Sequence, residues 1–221
     1  MTTRSILDCL RSVRGKALGS EALVGAIATL TLAAPALAHH PFGGAAPATF
    51  FEGLVSGIGH PVLGFDHLAF TIAVGLVAAL LRRGITVPIV FLLAALTGTG
   101  LHLAEVNLPA PELVISFSVL LFGLLAVTRR DLSTLAVVTL TALTGAFHGY
   151  AYGEAIVGAE PTPLVAYLIG FTLVQGTITA IAYLLSKRTI DNNRTAGILS
   201  VRQAGFAVCG AGAILLGNLF V

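Results

Sequence analysis

Six long apolar runs, separated by short polar breaks, follow one another along the chain. They cover approximately residues 53–81, 85–106, 111–128, 132–153, 163–186 and 198–220. A helix that spans a membrane needs about 20 apolar residues, and only the third run, between Pro111 and Arg129, is short. No polar break is long enough to hold a soluble domain. The pattern predicts an all-α polytopic membrane protein, with one domain of six transmembrane helices over residues 53–221.

The first 38 residues have the pattern of a signal peptide. Basic residues precede a short apolar stretch at 22–34, and Ala36-Leu37-Ala38 is a small-x-small cleavage site. We therefore predict a cleavable signal peptide over residues 1–38 and a short outer segment over 39–52, with an uncleaved signal anchor as the alternative. Cleavage would leave Cys209 as the remaining cysteine, which excludes an internal disulfide and a cysteine-based metal site.

Composition and charge support the membrane assignment and give it an orientation. Charged residues make up 10% of the chain, against about 25% in soluble domains. After residue 38, every basic residue lies at alternate connections between runs: Arg82, Arg83, Arg129, Arg130, Lys187, Arg188, Arg194 and Arg202. The positive-inside rule then predicts that both mature termini are outside. We expect the protein in the inner (plasma) membrane of a bacterium, in contact with lipid. No basic patch with interleaved aromatic residues indicates nucleic-acid binding.

Ionisable residues near the head of the first run indicate a site. His60, Asp66 and His67 lie in apolar surroundings, where such groups are costly and therefore usually functional. Imidazole and carboxylate ligands suit divalent metals such as nickel, cobalt and zinc. On a regular helix, His60 and His67 would lie about 10 Å apart. Pro61 and Gly64 between them predict either a broken helix that brings His60 to the other two residues, or a separate entry ligand at His60.

The same depth of the membrane holds further candidate ligands. The predicted topology places the second and fourth helices so that their outer ends carry His102 with Glu105, and His148 with Tyr152 and Glu154. Histidines from three helices thus fall in the outer half of the bilayer, which predicts one shared site. His102 could instead hydrogen-bond a carbonyl, and Glu105 could simply be solvated. Gln175 is expected to make an interhelical hydrogen bond. His39 and His40 could capture metal or form a solvated tail.

Two motifs resemble the signatures of the HupE/UreJ family. One is His60-Pro61 with Gly64 and Asp66-His67, and the other runs from Phe147-His148-Gly149 to Glu154. The resemblance implies a six-helix membrane protein, often made with a signal peptide, that acts as a nickel or cobalt permease linked to hydrogenase or urease maturation. The family usually has a further histidine where this chain has Tyr152. Because a phenol is a poor ligand at neutral pH, we expect Tyr152 to orient His148 or a bound water by hydrogen bonding.

The predicted function is uptake of Ni²⁺ or Co²⁺ through this outer His/Asp site, without a prosthetic group and without enzymatic activity. The chain has no Walker A motif, so uptake would be a uniport or ion-coupled process, and its link is to hydrogenase, urease or cobalamin maturation. Two alternatives stay open. One is a metal-binding accessory protein that does not transport, and the other is an intramembrane zinc hydrolase. The sequence leaves nickel and cobalt, the coupling ion and the oligomeric state undecided.

Overall fold

The computed structural model describes residues 46–128 and 132–220, and within these ranges the regular secondary structure is α-helical. The helices are α1 (Phe50–Leu63), α2 (Phe65–Ala79), α3 (Thr86–Leu103), α4 (Pro111–Val127), α5 (Thr134–Glu154), α6 (Pro161–Asn192) and α7 (Arg194–Asn218). Helices α1 and α2 share the first predicted run, and each later helix occupies one further run. The all-α prediction is confirmed.

Most of these helices have the length and composition of membrane spans. Helices α3, α5, α6 and α7 each qualify alone, and α1 and α2 qualify together as one span bent by 74°. Helix α4 is apolar but has only 17 residues, at the lower end of the range for a span. The count of six spans and the orientation remain predictions. The predicted signal peptide, His39, His40, Arg129 and Arg130 lie outside the described residues.

Helix α2 lies at the centre of the bundle. Its Phe70, Val74 and Val77 side chains are fully buried. It packs against α1, α3, α4, α6 and α7. The other helices pack most closely as three pairs, α1 with α6, α3 with α5, and α4 with α7. Helix α2 is therefore the helix that stands outside the three pairs, and it packs against a member of each.

The outer surface of the bundle is apolar. Large side chains from several helices are at least half exposed, among them Leu93, Phe117, Leu173, Leu184 and Phe206. A soluble monomer rarely exposes contiguous apolar surface on this scale, whereas a bundle in lipid needs it. The exposed faces therefore support burial of the helices in a membrane.

Glycines set the closest of the helix contacts. A β-carbon on Gly98 of α3 would overlap the carbonyl of Ala146, and one on Gly149 of α5 would overlap the carbonyl of Ala95. The backbones of α3 and α5 therefore touch, as small residues allow in membrane bundles. With Gly149 facing α3, the neighbouring His148 faces α2 and α4, where it meets Phe70 and Ser118.

Two helix boundaries differ from the sequence prediction. Helix α6 continues to Asn192, six residues past the predicted end of its apolar run at 186. Helix α7 begins at Arg194, where the Asn193 side chain accepts a hydrogen bond from the backbone of Ala196. Lysine and arginine are good helix formers, so the basic residues here do not end the helix. Arg202 donates to the carbonyl of Val127 at 3.0 Å and so caps the end of α4.

Candidate metal site

The site is built around a break between α1 and α2. Gly64 separates the two helices with an extended backbone, at φ −71° and ψ 102°, and the axis bends by 74°. A β-carbon on Gly64 would lie 2.7 Å from Cδ2 of His67 and 3.0 Å from the carbonyl of His60. A side chain at this position would therefore push the two histidine segments apart. The break falls at Gly64, while Pro61 lies inside α1.

The bend brings His60 and His67 together. Their ring centroids are 5.3 Å apart, about half the separation expected along a regular helix. The broken-helix arrangement predicted from Pro61 and Gly64 is therefore the one that the structure adopts. The ring of Tyr152 lies against both, at 4.8 Å from His60 and 4.3 Å from His67.

His148 completes a cluster of three buried imidazoles. Its Nδ1 lies 2.9 Å from Nδ1 of His67, and its ring stacks on Phe70 with centroids 4.0 Å apart. His60, His67 and His148 are all at 0% exposure. The cluster draws on α1 and α2, the two halves of the first predicted helix, and on α5, the fourth predicted helix. The histidines of these two predicted helices meet, whereas His102 of the second predicted helix does not join them.

Hydrogen bonds from two further helices hold the imidazoles in place. Oγ of Ser118 on α4 lies 2.9 Å from Nε2 of His148. The Tyr167 hydroxyl on α6 lies 2.8 Å from Nδ1 of His60. Each hydroxyl also donates to a backbone carbonyl, Ser118 to Ile115 and Tyr167 to Tyr152. Five helices therefore contribute to the position of the three rings.

Asp66 lies at the edge of the cluster. Its carboxylate accepts the backbone N–H of His67 at 2.8 Å, and the same oxygen is 4.0 Å from Nε2 of His67. The side chain is 18% exposed, whereas His67 is at 0%. As the first acidic residue of α2, Asp66 also interacts favourably with the positive end of the helix dipole.

Three predicted ligands lie elsewhere. The ring of His102 packs on Tyr150, with centroids 4.4 Å apart, and its side chain fills the space over Gly153. Glu105 and Glu154 are exposed. Glu105 has a positive φ of 59° and ends α3 with the paired hydrogen bonds of a Schellman motif. The exposure of Glu105 fits its interpretation as a solvated residue. Nδ1 of His102 is buried without a hydrogen-bond partner among the described residues, so the carbonyl hydrogen bond considered for His102 is not seen at this nitrogen.

The side chains of the cluster do not form a complete set of metal ligands. Within residues 46–128 and 132–220, no three His, Cys, Asp or Glu side chains are grouped so as to hold a metal ion. Nδ1 of His67 and Nδ1 of His148 share a hydrogen bond, which occupies both of these nitrogens. The assignment of individual ligands therefore stays a prediction.

Several residues of the site were missed or misjudged from sequence. Ser118, Tyr167 and Phe70 had no distinguishing signal in the sequence. Tyr152 was expected to orient His148 or a bound water, but its hydroxyl donates to Oε1 of Gln175 at 3.2 Å. The two nitrogens of His148 are hydrogen-bonded to Ser118 and His67 instead. The expected interhelical hydrogen bond of Gln175 is thus present.

Comparison with known proteins gives a family. A family model described as HupE / UreJ protein matches residues 27–215. Protein HupE of Rhizobium leguminosarum bv. viciae is 30% identical over 193 residues, which cover 85% of this chain and 96% of that protein. No solved structure matches the chain. The family match covers α1–α6 in full, α7 as far as residue 215, and both histidine motifs. On this evidence the chain belongs to the HupE/UreJ family.

Proposed function

We propose that this protein is a permease that takes up Ni²⁺ or Co²⁺ through the histidine cluster at the α1–α2 break. The observation that carries the proposal is the placement of three imidazoles at 0% exposure within helices that are otherwise apolar. Burying polar groups in such surroundings is costly, so a cluster of this kind is expected to serve a function. Membership of a family associated with nickel and cobalt uptake supports the same conclusion.

The chemistry of the cluster suits these ions. Neutral imidazole is a ligand for nickel, cobalt and zinc, and a nearby carboxylate offsets part of the ion's charge. Asp66 is the carboxylate beside the cluster, 4.0 Å from Nε2 of His67. Its partial exposure makes it the first of these residues that an ion arriving from the outer side would meet.

A narrow polar seam continues from the cluster between α2 and α6. Thr71, Gln175 and Thr179 are all at 0% exposure, and the Thr179 hydroxyl donates to the carbonyl of Thr71 at 3.4 Å. One turn further, a β-carbon on Gly75 would lie 2.6 Å from Cβ of Ala182. The two helices are in contact there, so passage of an ion along the seam would require α2 and α6 to separate.

The membrane potential is a sufficient driving force for entry. An inside-negative potential favours an entering divalent cation by about 4.6 kcal/mol per 100 mV, twice the value for a single charge. Uptake needs no nucleotide in this scheme, and the ion would serve hydrogenase, urease or cobalamin maturation. In the accessory alternative, the same cluster would hold and pass on the ion without moving it across the membrane.

Metal uptake by vesicles that contain the purified protein tests the proposal. We expect inward movement of nickel or cobalt that increases with an inside-negative potential and is abolished in His67→Ala. His102→Ala is the matched control, because it removes an imidazole that lies outside the cluster. Binding without movement of metal would favour the accessory function. Equal uptake by wild type and His67→Ala would place the pathway elsewhere.

A further inference from the structure

We infer that Ser118 and Tyr167 fix the tautomers of the three histidines, so that Nε2 of His60 and Nε2 of His67 are the metal-binding atoms and His148 is a positioning residue. This inference rests on the proposed metal function and refines it by naming atoms. It follows from the hydrogen bonds of the two hydroxyl groups, each of which has a single hydrogen to donate.

The first chain of hydrogen bonds begins at Ser118. Its hydroxyl donates to the carbonyl of Ile115 at 2.7 Å, because a carbonyl can only accept. Oγ must then accept from Nε2 of His148, 2.9 Å away. A histidine that carries its hydrogen on Nε2 has its lone pair on Nδ1 when it is neutral. Nδ1 of His148 therefore accepts a hydrogen bond from Nδ1 of His67, 2.9 Å away.

The consequence for His67 is a defined ligand atom. Once its hydrogen is on Nδ1, a neutral His67 carries its lone pair on Nε2. This nitrogen is the one that lies 4.0 Å from Oδ1 of Asp66. A histidine must be neutral to bind a metal, and its other N–H is usually held by a hydrogen-bond acceptor. His148 is that acceptor here.

The second chain begins at Tyr167 and gives His60 the same tautomer. The Tyr167 hydroxyl donates to the backbone carbonyl of Tyr152 at 2.8 Å. It must then accept from Nδ1 of His60, also 2.8 Å away. A neutral His60 therefore also carries its lone pair on Nε2. Two hydroxyls on different helices, α4 and α6, thus give the same tautomer to the two histidines that meet at the Gly64 break.

Stacking on Phe70 also holds the ring of His148 in place. Its ring lies nearly parallel to Phe70, at an angle of 11° and a centroid distance of 4.0 Å, and both of its nitrogens are hydrogen-bonded. To become a ligand, His148 would have to give up the bond to His67 or the bond to Ser118. His60 and His67 can bind through Nε2 while keeping the bonds made by Nδ1.

Nitrogen-15 NMR of histidine-labelled protein, prepared with a chelator, tests the tautomers without a bound metal. Nitrogens with a lone pair and nitrogens with a hydrogen resonate far apart, and single histidine substitutions assign the signals. We expect Nε2 of His60, Nε2 of His67 and Nδ1 of His148 to show the lone-pair signal. A hydrogen on Nε2 of His67, or a lone pair on Nε2 of His148, would overturn the inference.

Titration of the purified protein with Co²⁺, followed by its visible absorption, tests the roles. We expect His67→Ala to abolish the cobalt site. His148→Asn, which can keep an acceptor near the position of Nδ1, should retain the site and its absorption with affinity lowered by less than about tenfold. His148→Ala should lower it by about 10–100-fold, the range for outer partners of metal ligands. Loss of the site in His148→Asn, as complete as in His67→Ala, would make His148 a ligand and contradict the inference.

Tyrosine variants on one helix supply a matched comparison. Tyr167→Phe removes the acceptor for Nδ1 of His60 and should weaken cobalt binding by about 10–100-fold. Tyr183→Phe, on the same helix α6, should leave binding unchanged, and equal affinities in the two variants would contradict the role of Tyr167. Absence of cobalt and nickel binding in the wild type would instead defeat the proposed function, while the NMR result would still decide the tautomers.

Discussion

His60, His67 and His148 are buried, and a buried polar group that lacks a hydrogen bond costs about 1–3 kcal/mol. The cluster keeps that cost low by linking the rings to one another and to the hydroxyls of Ser118 and Tyr167. At the residue scale, the site consists of polar groups that position one another within an apolar bundle.

Tyr152 offers a test at this scale. Tyr152→Phe keeps the ring against His60 and His67 but removes the hydrogen bond to Gln175. Leaving a buried acceptor without its donor costs about 1–3 kcal/mol of stability, so we expect a lower melting temperature. Nickel affinity, measured by calorimetry, should fall by about tenfold, at the low end of the range for outer partners of a metal site, because we expect the phenol not to be a ligand. Loss of binding as complete as in His67→Ala would show that the phenol oxygen binds the ion.

Replacing the same residue with histidine tests the departure from the family pattern. Tyr152→His would place a fourth imidazole beside His60 and His67. We expect uptake to be retained and the preference between nickel and cobalt to change, which competition between the two ions in vesicles would measure. An unchanged preference would indicate that position 152 does not reach the bound ion.

At the scale of helices, the break at Gly64 determines whether the site exists. Without it, α1 and α2 would continue as one helix and His60 would lie about 10 Å from His67. Gly64 allows the close approach of His67 and the His60 carbonyl, and α2 then begins with Asp66 in its first turn. Gly64 thus permits the close contacts at the break, where the segments that carry three candidate ligands meet.

Glycine substitutions at the break and one turn before it test this claim. Gly64→Ala should lower nickel affinity by roughly 10–100-fold, since displaced ligands bind poorly. The control is Gly59→Ala in α1, where the new β-carbon would meet only Leu63 at an ordinary 3.5 Å. Calorimetry of both variants gives the comparison. Wild-type affinity in Gly64→Ala would mean that the close packing at the break is not needed for binding.

Much of the helical layout could be predicted because helices that lie in a membrane need long apolar runs, which are visible in the sequence. Apolar runs gave the helices, and the Pro61–Gly64 pattern gave the break. The runs could not reveal where α6 ends, because a helix can continue into water with basic residues. Ser118 and Tyr167 were missed because their partners His148 and His60 are 30 and 107 residues away, a pairing that depends on how the helices pack.

At the scale of the whole molecule, charge and packing suggest one consistent arrangement. The described basic residues lie at the α2–α3 connection and around the α6–α7 connection, while the cluster involves the ends of helices on the acidic side. Under the positive-inside rule, the histidines would lie toward the outer face and the α2–α6 seam would lead inward. This orientation is what makes the proposed direction uptake.

Cysteine labelling tests the orientation. In a variant without Cys9 and Cys209, single cysteines replace Thr162 at the start of α6 or Thr189 near its end, both exposed positions. A membrane-impermeant reagent added from outside should modify the cysteine at 162 and spare the one at 189. Permeabilised membranes serve as the control, since both positions should then react. The reverse pattern would turn the site toward the inner face and contradict uptake by the proposed route.

X-ray absorption of the nickel-loaded protein tests the central claim most directly, because it detects imidazole ligands on the ion itself. We expect imidazole ligation in the wild type, its retention when His39 and His40 are both replaced by alanine, and its loss in the double variant His60→Ala/His67→Ala. Imidazole ligation that persists in His60→Ala/His67→Ala, or that disappears when only His39 and His40 are replaced, would contradict a metal site at the α1–α2 break.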